Sequence, residues 1–215
     1  MTSIDLQRLF GHHPHSQALK DTLNKLSGEK SVPDPDVKAY SDAVYFNYYS
    51  LGLSILFSPQ HGYKPKTGQK YADLDFSKLV LDSIDVYNIP KPKESAKSRA
   101  SRSEIAYSTF PLLPLSLSLA TDVQDKDGKK VDRPDTIRIS QESTGKSLVE
   151  VLGEPDRKGG GAGPSSGSIG IWCEWSKDGI MIEFGGEEAR GPQAWERGKD
   201  AVWKVITLFQ AKPSS

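Results

Sequence analysis

One aromatic-rich segment occurs twice in the chain, and this duplication constrains the fold more than any other feature. Residues 44–57 (VYFNYYSLGLSILF) reappear without gaps as 171–184 (IWCEWSKDGIMIEF), so that Gly52 pairs with Gly179 and Phe57 with Phe184. Each copy has two apolar or aromatic runs around a turn, which is typical of a β-hairpin. Because an internal repeat outranks local propensity as a guide to architecture, we predict one hairpin used twice.

Similar segments surround the two hairpins. Leucines at helical spacing predict two short helices before the first hairpin, the second with Ser16 as N-cap and an end at Gly28. A short helix also precedes the second hairpin, and each hairpin is followed by a long polar loop and an apolar strand. The predicted segments are helices in 4–27, loop 58–75, strand 79–88, helix 147–152, loop 185–200 and strand 201–209.

Two such halves, each small alone, favour an α+β fold. We predict a tandem helix-plus-antiparallel-sheet repeat, with the two halves forming one sheet and the helices on one face. The predicted domains are 1–90 (first repeat), 91–106 (a basic Ser/Lys/Arg linker) and 107–215 (second repeat). Proline-rich residues 31–36 are predicted to be a linker, and 156–170 a flexible glycine-rich loop.

Bulk properties exclude several classes of protein. Among 215 residues, 28 basic and 28 acidic side chains cancel, which argues against a nucleic-acid binder. The single cysteine, Cys173, cannot form an intrachain disulfide, and this fits a reducing compartment. Neither a signal peptide nor an apolar run of about 18 residues is recognisable, so we expect a cytoplasmic protein.

The alternation of side chains assigns the faces of the predicted strands. Ile171, Cys173 and Trp175 should point to the core, with Trp172 and Glu174 on the opposite face. The same reasoning places Val44, Phe46 and Tyr48 in the core of the first half. Six aromatic residues would then line one open face as a partner-binding surface: Tyr45, Tyr49, Tyr87, Trp172, Trp203 and Phe209.

Two alternatives to this open aromatic face exist. Loops 58–75, 105–120 or 185–200 could cover it, and a slip of one residue in register would invert every assignment. A separate candidate surface is the basic linker, where Lys91, Lys93, Lys97, Arg99 and Arg102 could contact anionic lipid or an acidic partner. Its alternative interpretation is a solvated loop.

Catalytic and ligand-binding motifs are weak. Residues 143–147 (STGKS) partly match a phosphate-binding loop, but Ser140 occupies the place of the first glycine, which favours a capped helix start. His12, His13 and His15 lack acidic or Cys partners at metal-binding spacing, and Cys173 has no neighbouring histidine as a base. We therefore expect neither a metal nor a cofactor, and a non-enzymatic protein.

Parts of the chain resemble known families. LVEVLGEPDRK, the second hairpin and the final VITLF resemble the bacterial outer-membrane-assembly lipoprotein domain, and the tandem arrangement resembles the β-lactamase-inhibitor-protein fold. VYFNYYSLGLSILF with LVLDSIDVYN is similar to the eukaryotic phagosome assembly factor family. That last resemblance implies an autophagy-like role with phosphoinositide binding.

Three functions are therefore open. The first is an interaction or adaptor protein that binds a protein partner through the aromatic face. The alternative is a peripheral factor recruited to phosphoinositide membranes through the basic linker. The second alternative is a nucleotide-dependent enzyme that uses the glycine-rich segments.

Overall fold

A computed structural model of the chain has an α+β fold in which strands pair in antiparallel fashion and helices are short. No helix within the described part of the chain is both long and apolar enough to cross a membrane. The structure describes residues 4–89, 106–124, 127–161 and 170–211.

The chain divides into two compact units. One runs over Arg8–Leu112, and the other combines Met1–Gln7 with Leu113–Ser215. We call them the N-unit and the C-unit. Gln7 joins the C-unit through reciprocal bonds: its Nε2 donates to the Ser118 carbonyl (3.2 Å) and its Oε1 accepts from the Ser118 N–H (2.8 Å).

Helix α1 and four antiparallel strands in the order β1-β2-β3-β4 form the N-unit. Turns of 3-10 helix lie at Tyr49–Leu51, Tyr71–Asp73 and Phe76–Lys78. The bounds are α1 Gln17–Ser27, β1 Asp36–Ala39, β2 Val44–Tyr48, β3 Leu53–Pro59 and β4 Leu79–Tyr87.

The two helical segments predicted near the N-terminus are present. Leu6–Leu9 is a turn of 3-10 helix, and α1 begins where the sequence places its cap. The Ser16 hydroxyl accepts a hydrogen bond from the Leu19 N–H at 3.4 Å, and Gly28 ends the helix at φ +62°. The leucines at helical spacing along α1 are buried.

The predicted hairpin is the centre of the N-unit sheet. Phe46 on β2 lies opposite Ile55 on β3, and Ile55 lies opposite Ile84 on β4. All three are at most 2% exposed, so the predicted core face is correct. Strand β1 corrects the linker prediction, because Asp36 already pairs with Asn47 and the linker ends one residue earlier than expected.

The described residues of the C-unit form two antiparallel sheets and two short α-helices. Its four-stranded sheet has the order β10-β9-β8-β7, and β5 pairs with β6 in a second, two-stranded sheet. The bounds are β5 Leu115–Ser118, β6 Thr136–Ile139, α2 Gly145–Leu152, β7 Arg157–Gly159, β8 Trp172–Trp175, β9 Ile180–Phe184, α3 Ala194–Arg197 and β10 Trp203–Phe209.

Helix α2 explains the STGKS motif. Thr144 is its N-cap and forms a capping box with Ser147: Thr144 Oγ1 accepts from the Ser147 N–H (3.4 Å), and Ser147 Oγ accepts from the Thr144 N–H (3.0 Å). The motif is therefore a capped helix start, as the sequence favoured, although the helix begins two residues before the predicted Ser147.

Strand β7 corrects the prediction of a flexible loop over 156–170. Arg157, Lys158 and Gly159 pair with β8, opposite Glu174, Cys173 and Trp172. Gly159 lies against the Trp172 indole, where a Cβ would come within 2.7 Å of the ring. The remainder of that glycine-rich segment, 162–169, lies outside the described residues.

A β-bulge overturns one predicted face. Trp203 lies opposite Phe184 and Val205 opposite Glu183, so Lys204 is an extra residue in β10. The bulge shifts the alternation by one, and Trp203 therefore joins the core at 1% exposure instead of the open face. Its indole N–H donates to the Ser140 carbonyl at 2.7 Å.

The N-unit has a bulge at the corresponding place. Leu56 lies opposite Ser83 and Phe57 opposite Leu81, which leaves Asp82 as the extra residue. Asp82 and Lys204 are separated by the same number of residues as Ile84 and Ile206, so the two bulges occupy corresponding positions in β4 and β10.

One hydrogen bond also occurs in both units at corresponding positions. The Tyr87 N–H donates to the Gly52 carbonyl, and the Phe209 N–H donates to the Gly179 carbonyl, each at 2.9 Å. Both glycines have positive φ, +57° and +65°.

Candidate functional site

The open face of the N-unit sheet is the face opposite the buried core. Tyr45, Tyr49 and Tyr87 lie on it and are half-buried, as the alternation predicts. Asn47 lies between Tyr45 and Tyr49 in the sequence and is only 6% exposed. Something in the N-unit therefore covers part of this face.

The cover is the segment that begins at residue 106. The Ser108 N–H donates to the Tyr49 carbonyl and the Phe110 N–H donates to the Tyr87 carbonyl, both at 2.8 Å. These two hydrogen bonds hold the segment next to the hairpin turn and the end of β4. They place Tyr107 over the open face, so the described start of loop 105–120 covers part of it, which is one of the alternatives that the sequence left open.

Tyr107 packs tightly against the predicted aromatic residues. Its ring stacks on Tyr87 at 3.7 Å with planes 5° apart, and meets Tyr49 edge-on at 4.7 Å. Its hydroxyl donates to Asn47 Oδ1 at 2.7 Å. The side chain is held from three directions and is 8% exposed.

Gly52 permits this close approach. A Cβ at Gly52 would collide with the Ser108 carbonyl oxygen and lie 2.7 Å from the Phe110 nitrogen. These are backbone atoms, which cannot move aside as a flexible side chain can.

Replacing Gly52 with alanine should destabilise the N-unit and displace Tyr107. The left-handed conformation alone costs a non-glycine residue about 1–2 kcal/mol, and the collision adds to this. Urea denaturation monitored by near-UV circular dichroism measures the loss, and the amide resonances of 106–110 report the displacement.

Gly62→Ala is the matched control. Gly62 also has positive φ (+75°), but no heavy atom lies within 4 Å of its would-be Cβ. Gly62→Ala should therefore lower the free energy of unfolding only by the cost of the left-handed backbone conformation. Equal destabilisation by the two substitutions would show that the segment does not depend on Gly52.

Beside Tyr107 the open face forms a recess of about 480 Å³. We call this cavity the tyrosine recess. Four tyrosines line it: Tyr40, Tyr45, Tyr87 and Tyr107. The polar side chains that line it are Lys38, Asp42, Asn47, Ser54 and Asp85.

The floor of the recess is a fixed hydrogen-bond network. The Ser54 hydroxyl donates to Asn47 Oδ1 at 2.9 Å, and Asn47 Nδ2 donates to the Asp36 carbonyl at 2.9 Å. Asn47 Oδ1 thus accepts from both Ser54 and Tyr107. Because Asn47, Ser54 and Tyr107 are buried and hydrogen-bonded, the network makes a rigid polar floor.

Tyr45, Tyr49 and Tyr107 on this face are neutral phenols at physiological pH, because their pKa values are raised. Burial, assisted by Asp85, raises the pKa of Tyr45, and burial also raises the pKa of Tyr107. Burial and the hydrogen bond that the Tyr49 hydroxyl donates to Asp36 (2.7 Å) raise the pKa of Tyr49 to about 12. These groups serve as apolar surfaces and hydrogen-bond donors.

The corresponding face of the C-unit sheet has a different chemistry. Trp172 and Phe209 lie on it, half-buried, with the Arg157 guanidinium 6.0 Å from the centre of the Trp172 ring. Arg157 also pairs with Glu174 at 3.3 Å. The bulged Lys204 pairs with Glu183 at 2.6 Å. These ion pairs distinguish this face from the open face of the N-unit.

The histidines near α1 have structural contacts. His13 Nδ1 lies 2.9 Å from the Leu79 carbonyl oxygen, and His15 Nε2 lies 3.0 Å from the Tyr71 hydroxyl. The His15 ring also packs on Phe76 at 4.2 Å. Within the described ranges no three His, Cys, Asp or Glu side chains are placed to hold a metal ion.

Cys173 and the basic linker complete the sequence candidates. Cys173 is buried, and burial raises the pKa of its thiol to about 11, which fits the predicted role as core filling. The five basic residues Lys91, Lys93, Lys97, Arg99 and Arg102 lie outside the described residues.

Sequence reasoning found Tyr45 and Tyr87 but missed Tyr40 and Tyr107 as members of the recess. Tyr40 follows β1, whose alternation of Val37 and Ala39 with Lys38 and Tyr40 could have revealed a strand. Tyr107 is placed by backbone hydrogen bonds to residues far away in the sequence, and no local pattern signals such a contact.

Comparison with known proteins gives no relative. No protein-family model, no curated protein and no solved structure matches the chain. The resemblances noted above therefore stay predictions, and the tyrosine recess must be interpreted from its own chemistry.

Proposed function

We propose that this chain is a non-enzymatic interaction protein that binds a protein partner through the tyrosine recess. The observation that carries the proposal is the concave, solvent-open site with four tyrosine walls on a preformed polar floor. Tyrosine is favoured at binding hot spots because it supplies a large, rigid and amphipathic surface. A recess of this volume accommodates one or two partner side chains.

The state of the recess side chains supports binding over catalysis. Burial raises the pKa of Tyr45 and of Tyr107, whereas a tyrosine acting as a base or nucleophile needs a lowered pKa. Asn47 and Ser54 are hydrogen-bonded to each other within the floor network. The recess side chains therefore form a binding surface of fixed shape.

We also propose that the N-unit and C-unit descend from one duplicated hairpin-containing repeat. The corresponding bulges at Asp82 and Lys204 support this, as do the hydrogen bonds at Gly52 and Gly179. On this proposal only the N-unit copy has kept an aromatic recess, while the C-unit copy has acquired ion pairs.

Loss of recess tyrosines should abolish partner capture. In affinity purification from the native cell followed by mass spectrometry, Tyr45→Ala and Tyr40→Ala should each weaken recovery of the specific partner about tenfold or more, the effect of losing a hot-spot aromatic. Near-UV circular dichroism verifies that each variant is folded.

Trp195→Ala is the control for this experiment. Trp195 and Tyr40 are both 44% exposed, but Trp195 lies in the C-unit. Equal losses for Trp195→Ala and Tyr40→Ala would contradict the proposal. So would recovery that survives Tyr45→Ala, or recovery of the chain only on anionic vesicles, which would favour recruitment through the basic linker.

A further inference from the structure

The tyrosine recess combines aromatic walls with carboxylates. Tyr40 meets Tyr45 edge-on, with ring centres 6.1 Å apart and planes at 87°. Tyr87 and Tyr107 form the stacked wall described above. The faces of tyrosine rings are electron-rich, and they attract a cation that lies within about 6 Å.

The charges in the recess favour the same ligand. Among the described residues, its ionisable side chains other than tyrosine are Lys38, Asp42 and Asp85, which together carry a formal charge of one negative. Both carboxylates lie close enough to Tyr45 to raise its pKa. Asp42 and Lys38 are exposed, so they can meet an incoming ligand without rearrangement.

We propose that the tyrosine recess receives a lysine or arginine side chain of the protein partner. The alkyl stem packs between the tyrosines, and the cationic head lies near the exposed Asp42. This inference rests on the proposed function and names the chemistry of its partner. Lys38 also lines the recess and opposes the incoming cation, because its charge offsets one of the two carboxylates.

A titration with defined peptides tests the inference. The probes are Ac-Gly-Ser-Xaa-Ser-Gly-NH2 with lysine, arginine, norleucine or glutamate at Xaa, added to the isotopically labelled full chain. The lysine and arginine peptides should shift the amide resonances of Lys38, Tyr40, Asp42 and Tyr45 in a saturable manner. The norleucine peptide, which has an uncharged stem, should shift them far less, and the glutamate peptide should not bind.

Variants at exposed positions separate charge from shape. Removing one charge at roughly 6 Å in water changes affinity about threefold. Lys38→Met should therefore strengthen lysine-peptide binding about threefold, and Asp42→Lys should weaken it about tenfold. Tyr40→Phe should preserve binding, whereas Tyr40→Leu, which lacks the aromatic face, should lose it.

The outcomes distinguish this inference from the proposed function. Equal binding of the lysine and norleucine peptides, or binding of the glutamate peptide, would overturn the cation assignment. If Tyr45→Ala abolishes partner capture but Asp42→Lys and Lys38→Met leave it unchanged, the inference fails while the proposed function stands. If Tyr45→Ala leaves capture intact, both fail.

Discussion

Asp178→Ala should destabilise the C-unit by about 3–5 kcal/mol, because it leaves the Arg133 charge buried without its partner. The Arg133 guanidinium donates to both Asp178 carboxylate oxygens, at 2.6 and 2.8 Å. The two side chains are 4% and 2% exposed. Urea denaturation monitored by tryptophan fluorescence measures the effect, since all four tryptophans lie in the C-unit.

The same pair joins three parts of the C-unit, which is why a large effect is expected. Arg133 also donates to the carbonyls of Leu152 at the end of α2 and Ala120 after β5, both at 3.0 Å. Asp178, in the turn between β8 and β9, accepts from the Ala120 N–H at 2.8 Å. Removing the carboxylate therefore disturbs the two-stranded sheet, the helix and the hairpin together.

Two further variants make this prediction specific. Asp122→Ala removes the partner of Lys130 from a pair that is 87% and 68% exposed, and should cost about 0.5 kcal/mol or less. An Arg133→Met, Asp178→Leu double variant removes both charges and should recover much of the loss. A cost for Asp178→Ala as small as that for Asp122→Ala would show that the pair is not buried.

Trp203→Ala should destabilise the C-unit by about 3–5 kcal/mol, the usual cost of emptying a buried tryptophan site. Trp203 is 1% exposed, lies opposite Phe184 and donates to the Ser140 carbonyl. The variant therefore loses packing and the shorter of two hydrogen bonds that the Ser140 carbonyl accepts, the other coming from the Ser143 N–H at 3.3 Å. The remaining three tryptophans still report unfolding in urea.

Trp195→Ala provides the comparison, because Trp195 is 44% exposed. The Lys158 ammonium lies 5.6 Å from the centre of its ring. We expect a cost of about 1 kcal/mol or less. If Trp203→Ala costs no more than Trp195→Ala, then Trp203 is on the open face and the bulge at Lys204 is absent.

Trp203 also shows a structural feature that the sequence alone does not predict. The alternation in the hairpins predicted the core faces around Phe46 and Cys173 correctly, because burial on one face imposes a period of two. A bulge changes that period by one residue and has no local signature, since Lys204 is an ordinary residue of a strand. The pairing with Glu183 needed to detect it exists only in the folded sheet.

Short edge strands were missed for a related reason. Asp36–Ala39 follows a proline-rich segment, and Arg157–Gly159 precedes a glycine-rich one. Both strands contain polar residues. Such composition favours a loop when a segment is taken alone. Pairing with β2 and β8 supplies the hydrogen bonds that make them strands.

The tyrosine recess was predictable only in part. Tyr45 and Tyr87 follow from strand alternation within one hairpin and its neighbour. Tyr107 reaches them across a long interval of sequence, and Gly52 permits its approach. A site that depends on such a long-range contact is defined by tertiary structure.

Site-specific photocrosslinking in the native cell tests the central claim most directly. A benzophenone amino acid placed at Tyr40 should crosslink the partner, and Tyr45→Ala in the same chain should remove that crosslink. The same amino acid at Tyr71 is the matched control, because Tyr40 and Tyr71 are 44% and 41% exposed in the same unit and Tyr71 does not line the recess. Equal crosslinking from both positions, or a crosslink that persists with Tyr45→Ala, would contradict the assignment of the tyrosine recess as the binding site.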